Sequence, residues 1–215
     1  MALQNNKGFT LAELMVAMGL SAIVMASVGY VYYTQQKTYL AQEQIAGAQQ
    51  NLRAVLYFME REIRMAGYDP AQSGNFEIQT ANVDTITTRI DLNGNGALDA
   101  DETITYSLDA ANNQLERNGQ PLAENIDALD FRYLPAPAPP AALVPLDDDG
   151  MGNVVASIPL IRSVEVTVVA GTERADPGYT DTTDYPNLQG ATILAAPNDN
   201  FRRRFLSTTI RCRNL

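Results

Sequence analysis

The chain has 215 residues and a net charge of −10, room for one domain plus an extended element, with a charge that argues against nucleic acid covering its whole surface. It has no histidine, so it lacks the commonest general base and the commonest transition-metal ligand. Its one cysteine, Cys212, excludes an intramolecular disulfide. No nucleophile-and-base constellation stands out among the remaining residues, so an enzyme is not expected.

In chain order, the first informative stretch is NKGFTLAELMVAMGL. From Leu14 to Tyr33 there are twenty residues without charge, which as a helix span about 30 Å, the thickness of a bilayer's hydrocarbon core. Tyr30, Tyr32 and Tyr33 close the run, as aromatic side chains do at a membrane interface. No small-x-small cleavage signal follows, which favours a spanning or anchored helix over a secretory signal peptide. Glu13 stands at the mouth of this segment. An ionised carboxylate in the bilayer interior costs on the order of 2–3 kcal/mol. Snorkelling, or a first-turn position favoured by the helix dipole, explains why it is tolerated but not why it is there.

The helical pattern continues past the apolar run. Ile45, Leu52, Val55, Met59 and Ile63 form one stripe, with Arg53, Glu60, Arg61 and Arg64 on the other face and Glu60 and Arg64 one turn apart. Gly67 suits a helix C-terminus, and Pro70 cannot continue the helix. The spacing predicts one helix from Phe9 to about Met65, a rod of about 85 Å, with a membrane half over 9–33 and an amphipathic half over 34–67.

Residues 68–215 read as a β-rich head. Asp84–Ile90, Thr103–Leu108, Ile126–Leu134, Arg162–Ala170 and Leu206–Cys212 alternate apolar with polar residues and are rich in Thr, Val, Ile and Tyr. The fold class is α+β: the amphipathic half of the long helix packs on a mostly antiparallel sheet. Residues 134–145 contain five prolines and form a linker or surface excursion. Residues 171–190 are long, polar and without period, and serve as a loop.

Between two of these strands lies DLNGNGALDADE, which fits the twelve-residue calcium-loop pattern at each specified position. Asp91, Asn93, Asn95 and Asp99 supply side-chain oxygens, Ala97 a carbonyl and Glu102 a bidentate carboxylate, while Gly96 makes the sharp turn. Its flanks are strands, so calcium would stiffen a β-hairpin, with micromolar to millimolar affinity given two neutral Asn ligands. The competing reading is an Asn-Gly turn with acids facing solvent. LDDDGMGN, residues 146–153, lacks the distal acid and reads as a solvated turn.

Arg202, Arg203 and Arg204 form the dense positive run. They make either a contact patch for an acidic partner subunit, a phosphate head group or DNA, or the exposed entry to the last strand with Phe201 and Phe205 packed inward. Cys212 alternates with Ile210, as a buried structural thiol would.

A polar leader ending in Lys7-Gly8, followed by FTLAELMVAM, resembles the class III signal of type IV pilins and pseudopilins. The resemblance implies that a prepilin peptidase cuts between Gly8 and Phe9 and that Phe9 is then N-methylated. It also implies that Glu13, fifth in the mature chain, pairs with the α-amino group of a neighbouring subunit, relieving two costly charges in an apolar bundle. MEREIRMAGYDP, ETITYSL, LERNGQPLAENIDALDFRYL, IRSVEVTVV and RRRFLSTTIRCRNL resemble, in order, the blocks of PilW-type minor pilins. Many major pilins carry a C-terminal cysteine pair that this chain lacks, which speaks against the main shaft subunit. The implied function is a structural subunit for assembly or the tip of a type IV pilus. It would be held in the bacterial inner membrane as a single-pass prepilin with its head outside the cytoplasm, then built into the filament beside other pilins and a tip adhesin. The alternatives are a J-type pseudopilin of type II secretion and a calcium-stabilised adhesin on a pilin anchor.

Overall fold

The computed structural model describes residues 8–136 and 144–215. The first seven residues of the expected leader and most of the Pro-rich segment lie outside them. The helix α1 runs from Leu11 to Arg64, within two residues of the expected span. Ten strands follow: β1 Ile78–Ala81, β2 Thr85–Arg89, β3 Thr103–Asp109, β4 Gln114–Arg117, β5 Gln120–Glu124, β6 Ile126–Pro135, β7 Ile161–Gly171, β8 Tyr185–Pro186, β9 Thr192–Leu194 and β10 Arg203–Arg211. A 3-10 turn, Ile158–Leu160, leads into β7.

The chain divides into two compact units between Glu43 and Gln44, so α1 from Gln44 on belongs with the head, and residues 34–43 of the expected amphipathic half belong with the first unit. In the first unit, the residues from Gly8 to Leu40 are all exposed. The helix is long and apolar enough to cross a membrane, with a mean hydropathy of 2.0 over an 18-residue window near the N-terminus. Its hydroxyls turn back on their own helix: Ser21 Oγ donates to the Ala17 carbonyl (2.7 Å) and Ser27 Oγ to the Ile23 carbonyl (2.9 Å). Such i−4 bonds satisfy these two hydroxyls where water is absent.

In the second unit, Ala48, Leu52, Val55, Met59 and Ile63 make the buried stripe of α1. Ala48 takes the place expected of Ile45, which is half-buried. The stripe joins one core with Ile86, Ile104, Tyr106, Leu115, Phe131, Tyr133, Val164, Val166 and Ile210. α1 ends where Gly67 adopts φ 78° and gives its N–H to the Arg89 carbonyl.

Among the described residues the β part is antiparallel, as expected, and is divided into two larger sheets and a two-stranded β8-β9 ribbon. The first is a five-stranded meander in the order β1-β2-β3-β4-β5, and the second has the order β10-β7-β6. Every pairing is antiparallel. β7 is buried on both faces. Val164, Val166 and Val168 enter the main core, while Val169 packs with Ala128 and Tyr185 in a smaller cluster on the other side. Tyr185 comes from residues 171–190. That polar stretch is therefore a cover for the back of the second sheet, carrying β8, rather than a plain excursion.

Candidate functional site

At the start of α1, Thr10 and Glu13 form a reciprocal cap. Glu13 Oε2 accepts from the Thr10 N–H and from the Thr10 hydroxyl, both at 2.9 Å, and Thr10 Oγ1 accepts from the Glu13 N–H at 3.2 Å. This is the Thr-x-x-Glu capping box, a pattern present in the sequence. Both donors land on Oε2, which leaves Oε1 open to a partner from outside the chain. Glu13 is thus fixed one turn beyond Phe9 on a fully exposed apolar helix, with Gly8 just before it.

The loop between β2 and β3 folds around its two end carboxylates. Asp91 Oδ1 accepts from the Gly94 N–H (2.6 Å) and Oδ2 from the Gly96 N–H (3.0 Å). Glu102 Oε1 accepts from the Leu92 N–H (2.9 Å) and Oε2 from the Asp99 N–H (2.9 Å). Asp91 and Glu102 are both 0 % exposed, and among the described residues neither makes an ion pair. Asn93 and Asn95 each accept from the N–H two residues on and donate their amide N–H to Asp99 Oδ2. Gly96 has φ 71°, and a Cβ there would stand 2.9 Å from the Ala71 Cβ. Asp91, Asn93, Asn95, Ala97, Asp99 and Glu102 are therefore gathered in one loop. Among the described residues, however, no three carboxylate, thiol or imidazole groups already converge as a metal centre. The donor set is all oxygen and suits a hard cation.

The arginine run is not the free positive patch that its sequence suggests. Arg203 is 8 % exposed. Its guanidinium meets Asp127 (2.7 Å), Asp181 (3.2 Å) and both oxygens of Asp199 (2.7 Å each). Arg202 pairs with Asp176 at 2.9 Å and lies 4.1 Å from the Tyr179 ring centre. Arg204 alone of the three is exposed. β10 begins at Arg203, within the run, and Phe205 is 43 % exposed rather than packed inward, edge-on to Tyr185. Arg203 holds the Asp199 carboxyl below the usual range, while burial pushes Asp127 up against the pull of Arg203. Asp199 lies only 4 residues from Arg203, but Asp127 and Asp181 lie 76 and 22 residues away in sequence, so no local pattern could have named those two.

A family model described as prepilin peptidase-dependent protein B matches residues 41–183, and the prokaryotic N-terminal methylation motif matches residues 3–29. No curated protein matches the chain. Among solved structures, a type IV-like pilin from Thermus thermophilus is similar, with 13% identity and a TM-score of 0.52 over 78% of this chain and 96% of that one. At this identity the likeness speaks for the fold: one long N-terminal helix with antiparallel sheets. The methylation motif covers the exposed apolar helix capped by Thr10 and Glu13, and the first model spans more than half of the chain. The chain therefore belongs to the prepilin peptidase-dependent protein B family of type IV pilin-like proteins.

Proposed function

We propose that this pilin-like protein is a minor pilin of the PilW type, a structural subunit acting in assembly or at the tip of a type IV pilus. The observation that carries the reading is the Glu13 carboxylate, held by Thr10 on a helix that buries no residue before Ala41. After cleavage between Gly8 and Phe9, the new ammonium and Glu13 are each costly in an apolar bundle, and Oε1 is the free acceptor that pairs them between subunits. The prepilin resides in the inner membrane through residues 9–33, with its head outside the cytoplasm. Prepilin peptidase, major and minor pilins and a tip adhesin are its partners. Mass spectrometry of the N-terminal peptide from the native cell tests the processing step. A peptide starting at Phe9 and heavier by one methyl group is expected. A peptide retaining residues 1–8 overturns the reading and moves an anchored binding module ahead. Purification of the assembled filament distinguishes the pilus from a J-type secretion pseudopilus.

The proposal extends to calcium in the 91–102 loop. What supports it is the burial of Asp91 and Glu102 with, among the described residues, no cationic side chain paired to either, a state that buried carboxylates leave by binding a metal. Asn93, Asn95, Asp99 and the Ala97 carbonyl complete an oxygen shell that stiffens the β2–β3 hairpin. Thermal unfolding of the full chain in detergent, with millimolar calcium against chelator, is the test. Calcium is expected to raise the midpoint, and Glu102→Gln to abolish the rise. An unchanged midpoint removes calcium from the proposal.

A further inference from the structure

A cleft of about 970 Å³ opens in the head where the end of α1 meets the start of β7 and the end of β10. Among the described residues, its lining includes Arg64, Arg162, Arg211 and Arg213 and no Asp or Glu. In a chain of net charge −10, with 25 acidic residues against 15 basic ones, that is a local inversion of charge. We propose that this cleft receives a carboxylate-rich segment of a neighbouring subunit, an inference that rests on the pilin reading of the protein.

The four arginines are not equivalent. Arg162 is oriented by its own backbone, its Nη1 donating to the Pro159 and Ile161 carbonyls at 2.9 and 2.7 Å. Arg64 is tied to Glu60 one turn earlier on α1. Arg211 and Arg213 are exposed, and among the described residues their guanidinium groups form no ion pair or hydrogen bond. They flank Cys212, which points inward between them and is 4 % exposed. Burial pushes its thiol up to about 12, so it stays neutral and takes nothing from the positive charge of the cleft.

Service to the C-terminus of α1 does not account for Arg211 and Arg213. The carbonyls there are met by the Arg213 backbone N–H, on Arg64, and by the Asn214 side chain, on Met65. Planar guanidinium forks fit carboxylates bidentately. A concave wall of one sign also focuses its field on a group that enters it. An extended polyanion such as DNA, or an anionic membrane, would meet the acidic remainder of the chain as well as the cleft. A short acidic segment reaches the arginines without that repulsion.

The test uses the full chain in non-ionic detergent and a fluorescent dodecapeptide of alternating Asp and Gly, with the Asn-Gly peptide as its neutral counterpart. The acidic peptide is expected to bind at low salt. The Arg211→Gln/Arg213→Gln double variant is expected to lose at least about tenfold in affinity, while Arg53→Gln/Arg174→Gln, on exposed arginines elsewhere, leaves it unchanged. Equal binding by the double variant, or by the neutral peptide, overturns the proposal. So does binding of a DNA oligomer or of phosphatidylglycerol vesicles in preference to the peptide. The urea midpoint of each variant separates lost affinity from lost fold. Because the readout does not involve residues 1–8, failure here leaves the processing result untouched, and the reverse also holds.

Discussion

Glu62 on α1 and Arg117 on β4 meet as a two-pronged ion pair, with Nε to Oε2 at 3.0 Å and Nη2 to Oε1 at 2.9 Å. The Tyr106 hydroxyl adds a third bond to Oε2 at 2.5 Å, and burial, with Glu62 beside it, pushes that phenol well above its usual range. The cluster stitches the helix to the five-stranded sheet across the core. Glu62→Ala would strand both a guanidinium and a phenol, and is expected to destabilise the chain by about 2–3 kcal/mol. Arg117→Ala, which leaves Tyr106 to satisfy Glu62, should cost less. Urea unfolding of both single variants and the double variant gives the coupling. A sum equal to the two single effects would show that the pair does not act as a unit.

Arg203 is the one cation for three aspartates, and its removal has a pH signature. Asp199, held low by Arg203, contributes stability above the ordinary Asp range and loses it as pH falls through its lower folded value. Asp127, raised chiefly by burial, works in the opposite sense: its ionised form disfavours folding as pH rises. Arg203→Met leaves all three carboxylates facing one another, and is expected to cost about 3–5 kcal/mol at pH 7. The deficit should shrink below about pH 4, as the carboxylates protonate. A deficit that is flat with pH would mean that packing, not charge, is what Arg203 supplies.

The strands legible in the sequence were those where β-branched and aromatic residues alternate. TITTR, TITYSL and VEVTVV pack against the α1 stripe, and their pattern is the imprint of that packing. QLER and QPLAE show little β preference. They become β4 and β5 through pairing with β3 and through the Asn118-Gly119 turn between them. The arginine run misled for a related reason. Its charge reads as exposure, and only folding brings Asp127 and Asp181 to neutralise it. Glu13 stood out in the sequence as a carboxylate at the mouth of an apolar run, whereas its hydrogen-bonded partner Thr10, three residues earlier, needed only the capping rule.

Gly96 and Gly94 allow a controlled comparison within the β2–β3 loop. Both have positive φ, 71° and 76°, so alanine at either position meets a left-handed penalty of about 1–2 kcal/mol. At Gly96 the new Cβ would also stand 2.9 Å from the Ala71 Cβ, whereas at Gly94 the nearest atom is Pro70 Cγ at 3.7 Å. Gly96→Ala is therefore expected to destabilise more than Gly94→Ala, by about 1 kcal/mol or more. Thermal unfolding measures the difference. Equal effects would show that the loop moves away from residues 70–73 at little cost.

Cys212 gives the last test, because its reactivity reports on the packing of β10 and the tail that follows it. The thiol is buried beside Ile210 in the main core, and burial pushes it up to about 12. Alkylation proceeds through the thiolate. At pH 8 the folded chain should therefore react with iodoacetamide about a hundredfold more slowly than the chain in urea, the scarcity of thiolate outweighing its greater nucleophilicity. Arg162 opposes the shift through its positive charge, so Arg162→Gln should slow the reaction further. If the folded chain alkylates as fast as the unfolded one, residues after Arg211 open readily and Cys212 is not held in the core. The basic cleft would then lose the wall on which Arg211 and Arg213 stand.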